Sequence, residues 1–295
     1  MFPDPACGTL PLMPTRPKIT ALIHTWNEAA NIAACLKSVA WADECVVADM
    51  ASTDGTVEIA QSLGARVIAM PAKEYNVEAL RNQAVAACDE GWIIVVDADE
   101  TVPPTLAEHL RGLVANPTAA AYSLPRKNYF LGEWLQHGFW PDYQPRFVRK
   151  GAAHWDGEAH QHPQIDGKLE ELPADPALAL EHPGYGNDLT KFLIKLVNYS
   201  LLEAQRMKRE GAPPPWPYFI RRPLTEFHGR YFVNGGWHDG MAGLVHSLLR
   251  ALYQFLIGIR LWELTRDQHP GPDPVKLKRQ VRWEGIRATA KWLRF

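Results

Sequence analysis

Little in this chain invites a disulfide framework, a membrane span or a nucleic-acid surface. Among 295 residues there are four cysteines, Cys7, Cys35, Cys45 and Cys88, with no CxxC pair. That argues against a zinc ribbon or a redox motif and for buried free thiols in a reducing compartment. No run reaches the roughly 18 uninterrupted apolar residues that would clearly cross a bilayer. The formal net charge is −2, so the molecule as a whole makes no case for nucleic acid as a partner. Internal repeats are absent. The first 17 residues hold five prolines and no basic-then-apolar signal pattern, and are expected to be a disordered leader.

What is present is globular. Hydrophobic residues make up 46% and charged residues 22%, the balance of a soluble domain. The length exceeds that of one typical domain. We expect a catalytic unit over residues 18–186, split into halves 18–116 and 117–186, followed by a helical region over 187–295. Charge is unevenly spread. Between His154 and Glu181 Lys168 stands alone against seven acids, whereas from Val275 to Phe295 seven Lys and Arg face Glu284 alone. A basic tail carrying Trp283, Trp292 and Phe295 suits an anionic membrane surface.

The stretch Ile93-Ile94-Val95-Val96-Asp97-Ala98-Asp99-Glu100 is the centre of the chain. Its apolar half reads as a strand buried on both faces. Its acidic half places two carboxylates one residue apart at the strand's exit. If the chain turns there, both can converge on one divalent cation and leave room for phosphate oxygens. Upstream, strands are expected over Ile19–Thr25, Glu44–Asp49 and Ala65–Met70, alternating with helices over Ala29–Val39, Thr56–Leu63 and Asn76–Asp89. That alternation implies an α/β fold with a mostly parallel, doubly wound sheet. Ligands gather beyond the carboxyl ends of such strands, where Asn27, Glu28, Asp49, Asp97 and Asp99 all fall. Beyond Pro117, segments rich in Trp, Tyr, His and Pro suggest loops and antiparallel strands. Helices follow over Leu189–Gln205 and Met241–Leu264. The second has a repeating apolar face, which reads either as a core helix or as one lying in a membrane interface.

Four blocks in order resemble the family-2 glycosyltransferases of the GT-A fold: Thr25-Trp26-Asn27-Glu28, Val47 to Thr56 with Asp49 and Asp54, Arg81-Asn82, and Val96 to Glu100. Further on, Trp140 to Phe147 and Trp155-x-Gly157-x-Ala159-His160 are similar to a narrower branch, the lipopolysaccharide core β-1,4-glucosyltransferases. The resemblance implies an inverting transfer of a hexose, taken as glucose, from a UDP-linked sugar. The acceptor would be a lipid-linked, lipopolysaccharide or other surface glycan at the inner face of the cytoplasmic membrane. It implies donor contacts from Thr25, Asn27, Glu28, Asp49, Asp54, Arg81, Asp97 and Ala98. Mg2+ or Mn2+ would sit on Asp97 and Asp99, with His182 as a third candidate ligand.

Several of these residues have a plainer reading. Asp54 could cap the next helix, Arg81 could be a solvated helix residue, and His182 could simply be hydrogen-bonded. Single displacement also needs a base for the acceptor hydroxyl. Here Gln161 follows His160 where the narrower branch carries Glu, and an amide cannot serve. Asp142 and Glu158 are the candidates for that role. Two other readings stay open: a nucleotidyltransferase, for which a Gly-rich basic loop after the first strand is missing, and a catalytically silent sugar-nucleotide or glycan-binding protein.

Overall fold

The computed structural model describes residues 16–71, 78–156, 162–211, 218–268 and 271–292. Its first hundred residues alternate as expected: β1 (Ile19–Thr25), α1 (Ile32–Ser38), β2 (Glu44–Asp49), α2 (Thr56–Ser62), β3 (Arg66–Ala69), α3 (Glu78–Ala86) and β4 (Trp92–Asp97). The reason lies in the apolar runs. Side chains alternate across a strand, so Trp92, Ile94 and Val96 of β4 enter one core with Ile32, Cys35, Leu106 and Leu110. Ile93 and Val95 enter the other, with Ala84, Val85 and Trp155. A strand covered on both faces has no position for a polar residue until it leaves the sheet.

After α4 (Pro104–Ala115) the chain forms β5 (Ala121–Leu124), β6 (Arg126–Phe130), β7 (Glu133–Trp134) and β8 (Gln144–Arg149). Here the sheet departs from a uniformly parallel pattern. β8 returns antiparallel and lies between β4 and β5, pairing Ile93 with Val148 and Ile94 with Phe147. After the short antiparallel pair β9 (Ala153–His154) and β10 (Gln164–Ile165) come β11 (Leu169–Glu171) and β12 (Leu180–Gly186). The seven-stranded sheet runs β11-β5-β8-β4-β1-β2-β3, and β12, β6 and β7 form a smaller one. Trp92, Phe147 and Tyr122 stack across β4, β8 and β5, with Trp92 and Phe147 centroids 4.9 Å apart. Bulky rings on neighbouring strands hold the antiparallel insertion in register.

The remainder is helical: α5 (Leu189–Glu210), α6 (Tyr218–His228), α7 (Gly240–Thr265) and α8 (Pro274–Trp292). α5 runs to Glu210 rather than Gln205 because Lys, Arg, Glu and Met there are good helix formers. The basic tail, expected only as a charged segment, is helical as far as Trp292, with the Asp273 carboxylate accepting from the Val275 and Lys276 amides. α7 is long and apolar enough to cross a membrane by composition alone, but it is two-faced. His246, Ser247, Tyr253, Ile257 and Leu261 are buried, whereas Leu248, Leu252, Phe255, Ile259 and Trp262 are exposed.

Candidate functional site at the carboxyl edge of the sheet

The loops leaving β1 and β2 are laced together. The Asn27 amide donates to Ser52 Oγ at 2.8 Å, the Thr53 amide to Asn27 Oδ1 at 2.8 Å, and the Glu28 amide to Thr56 Oγ1 at 2.9 Å. Asn27 and Ala51 sit at φ of 55° and 59°, the left-handed region that non-glycine residues rarely occupy, and such strain concentrates at ligand sites. Asp54 belongs to this lacing. Its carboxylate accepts from the Ala29 amide at 3.0 Å and from the Thr56 amide at 3.2 Å and so ties the two loops together, while the N-cap position of α2 is Gly55 and carries no side-chain cap. Asp49 uses Oδ2 on the Ser52 amide at 3.0 Å, and Oδ1 is buried without a partner. Thr25 Oγ1 is likewise buried and unpartnered. Orphaned acceptors at the ends of two adjacent strands are unfavourable unless a ligand completes them. Glu28 lines the neighbouring cavity and holds Asn31 Nδ2 at 2.7 Å. Burial pushes its carboxyl up, and the Asn31 hydrogen bond only partly opposes this.

The two central aspartates have different surroundings. Asp97 is gripped by guanidinium groups: Arg146 Nη2 lies 2.5 Å from Oδ2, and Arg146 Nη1 and Arg81 Nη2 lie 3.1 and 3.2 Å from Oδ1. Burial favours the neutral acid, but the charges of Arg146 and Arg81 prevail and hold it well below the usual carboxylate range. Arg81 is therefore buried in an ion pair, not a solvated helix residue. Asp99 instead faces His182, Nε2 lying 3.2 Å from Oδ2. The encounter depends on the small sheet. Thr101 and Glu181 exchange backbone hydrogen bonds at 2.8 and 3.0 Å, which brings β12 alongside the turn after β4. Gly184 packs so closely on Asp99 that any side chain there would collide with it. His182 Nδ1 is fixed by Asn128 Oδ1 at 2.7 Å, leaving Nε2 aimed at Asp99. Burial pushes the Asp99 carboxyl up, but His182 outweighs it and brings it to about 2.

Asp99 and His182 are thus a carboxylate and an imidazole side by side, with no third His, Cys, Asp or Glu completing a metal cluster among the described residues. Two protein donors fit an ion that keeps its other positions for phosphate oxygens and water. Asp97, with both oxygens on arginines, is a poorer ligand than its spacing suggested.

Asp142 occupies a third setting. Its Oδ2 accepts from Arg126 Nη2 at 2.6 Å, Arg126 Nε at 2.9 Å and Asn128 Nδ2 at 2.9 Å, and Oδ1 accepts from Gln144 Nε2 at 2.8 Å. Burial raises the carboxyl, but Arg126 and the amides pull it below its ordinary value. A carboxylate so occupied is a weak base. Arg126 also reaches the fully buried Glu100 at 2.7 Å, and Glu100 in turn accepts from the Asp97 amide at 3.0 Å. One charge network thus joins β4, β6 and β8. Glu158, His160 and Gln161 lie outside the described residues.

Thr25, Glu28, Arg81, Asp97, Ala98, Asp99, Arg126, Asp142, Arg146 and His182 line one cavity of about 730 Å3, whereas Asn27, Asp49 and Asp54 stand behind its lining. One end is lined by Thr25, Trp26, Glu28, Met50, Ala98 and Asp99, and the other by residues of α5, α6 and α7. Tyr185 stands between them, its ring 5.4 Å from that of His182 and its hydroxyl 2.9 Å from His246 Nε2 on α7. Burial and the charges of Arg230 and Arg250 hold His246 well below its ordinary value, so it is neutral. His24, Arg126, Tyr185 and the α6 and α7 wall carry no mark in the sequence reading above. His24 could have been noticed as an imidazole in an otherwise apolar strand. It is buried with neither ring nitrogen partnered, and burial followed by Arg81 lowers it to about 3. Nothing local marks Tyr185, because a helix some sixty residues later makes its contact.

The profile of glycosyl transferase family 2 matches residues 20–163. An uncharacterized glycosyltransferase of Rickettsia felis is 40% identical over 81% of this chain and 87% of its own length. The lipopolysaccharide core biosynthesis glycosyltransferase LpsC of Rhizobium meliloti is 26% identical over 83% and 92%, respectively. Among solved structures, one of TarS from S. aureus covers 85% of this chain and 91% of its own, at 13% identity and a TM-score of 0.42. A mixed sheet with its polar groups at the carboxyl edge, a family profile over that same segment and a close relative along most of the length lead to one conclusion: the chain belongs to glycosyl transferase family 2.

Proposed function

We propose that the protein moves a hexose, glucose being the expected one, from a UDP-linked donor to a hydroxyl of a lipid-linked or lipopolysaccharide-type surface glycan. The anomeric centre would invert in a single displacement. The observation that carries this reading is the Asp99–His182 pair, standing between a laced nucleoside-sized loop pair and a second compartment walled by helices. The name of the LpsC relative supports the acceptor class. Thr25, Asn27, Glu28 and Asp49 would take the nucleoside, with the unpartnered Thr25 Oγ1 and Asp49 Oδ1 as its natural contacts. Arg81 and Arg146 keep Asp97 ionised and rigid at the donor's edge. Asp99 and His182 would hold Mg2+ or Mn2+, which when bound neutralises charge on the departing diphosphate.

Asp142 holds Arg126 and thereby shapes the β6–β8 wall, which makes Glu158 the better of the two candidates for proton removal, ahead of another group or no working base. The exposed α7 stripe and the Lys and Arg of α8 support a peripheral position on an anionic membrane surface. The test is a panel of UDP-, GDP-, dTDP- and ADP-sugars with Mn2+ and a lipid-linked acceptor, with the product's anomeric configuration read by NMR. Transfer from UDP-glucose with inversion is expected. UDP binding with neither hydrolysis nor transfer would instead make this a silent binding protein.

A further inference from the structure

The cavity's arginines fall into two populations. Arg81, Arg126 and Arg146, at the sheet end, each lie within 2.5 to 3.2 Å of a carboxylate oxygen. Arg222 on α6 and Arg250 on α7, at the helical end, do not. Among the described residues Arg222 has no carboxylate within ion-pair distance, and its guanidinium lies 5.9 Å from the Tyr218 ring centre. The nearest carboxylate to Arg250 is Glu226 at 3.9 Å, which is already held by Arg230 at 2.6 Å. Arg250 Nε is buried with no hydrogen-bond partner, and its guanidinium lies 5.0 Å from the ring centre of Tyr253. Glu203, the acid lining this end, is spent on Arg206 at 2.5 Å.

Two guanidinium groups lining one cavity, one with no carboxylate partner among the described residues and the other only 3.9 Å from a carboxylate that Arg230 already holds, concentrate anions. Their planar forks match carboxylate and phosphate two bonds at a time. The Tyr218 and Tyr253 rings beside them, within cation–π distance, bring aromatic surface of the kind sugars pack on to the same end of the cavity.

We propose that Arg222 and Arg250 form an anion-binding acceptor subsite, so that the sugar receiving the hexose, or its neighbour, carries a carboxylate or a phosphate ester. The inference rests on the transferase reading for its meaning, but its binding test does not. Full-length protein is titrated with glucose, glucuronate and glucose 6-phosphate, followed by saturation-transfer NMR, and separately with UDP and Mn2+ by calorimetry. At least one anionic probe should bind about tenfold tighter than glucose, and which one does identifies carboxylate or phosphate as the source. Arg222→Gln, an exposed position that folding tolerates, should lose most of that preference. Arg222→Gln with Arg250→Gln should bring all three sugars within about twofold while UDP binding stays unchanged. Equal binding of the three sugars by the wild type, or an anion preference that survives the double substitution, overturns the subsite. Anion preference without any UDP binding would uphold the subsite and sink the donor assignment instead.

Discussion

The two ends of the cavity solve opposite electrostatic problems. At the sheet end, positive and negative groups neutralise one another: Asp97 with Arg81 and Arg146, Asp142 and Glu100 with Arg126. At the helical end, Arg222 lies beside Tyr218 with no carboxylate in ion-pair distance among the described residues, and Arg250 lies beside Tyr253 with only a 3.9 Å contact to Glu226, which Arg230 holds. A network closed on itself is rigid and holds a preset geometry before any ligand arrives. An open charge is a demand for a ligand. The contrast shows why the same residue type, arginine, is scaffold in one half and a candidate recognition group in the other.

The sharpest way to break this comparison is at the corner where the ends meet. Asp99→Asn keeps shape and removes charge, so transfer should fall by about three orders of magnitude and UDP binding should lose its dependence on Mn2+. Undiminished kcat would detach Asp99 from the chemistry. Within the closed network, Asp142→Asn leaves Arg126 short of a counter-charge. Breaking a buried pair from one side costs about 3 kcal/mol, read as a lowered denaturation midpoint. Glu158→Gln should abolish transfer with stability and UDP binding intact. If Asp142→Asn instead keeps full stability and loses only transfer, the assignment of the base must be reversed.

His24 offers a third test, through pH. Its folded value of about 3 lies below its ordinary 6.5, so the unfolded chain binds a proton that the fold refuses. Its contribution to stability is complete above pH 6.5 and is lost as pH falls toward 3, amounting to roughly 2 kcal/mol between pH 7 and pH 5. His246 adds a contribution of the same sign. His24→Leu should therefore flatten part of the acid-side decline in urea midpoints, and an unchanged slope would show that His24 does not titrate as its burial implies. The smallest effect belongs outside the cavity. Arg221 makes a bidentate but exposed pair with Glu284, at 2.8 and 2.9 Å. Arg221→Gln should leave the melting temperature unmoved, as surface pairs usually do.

Much of the sheet end was legible because its signals are local. The apolar runs of β1, β2 and β4 specify strands, and the acids that follow must lie where those strands leave the core. The same reasoning failed for the partners of those acids. Asp97 and Asp99 look equivalent at a spacing of two, yet Arg146 comes from a strand inserted antiparallel beside β4 and His182 from a separate small sheet. Asp142 looked available as a base until Arg126, Asn128 and Gln144 were found around it.

The amino-acid order alone determined where the strands and helices up to β4 form, that α7 carries an apolar stripe and which strand ends carry acids, since periodicity and propensity act over a few residues. Only the tertiary structure decided which carboxylate meets an imidazole, which meets an arginine, and which arginines are left without either. Charge pairing depends on distances of a few ångströms between segments tens of residues apart, and these are set by the antiparallel return of β8, the docking of β12 and the packing of α5 and α7 against Phe130 of β6.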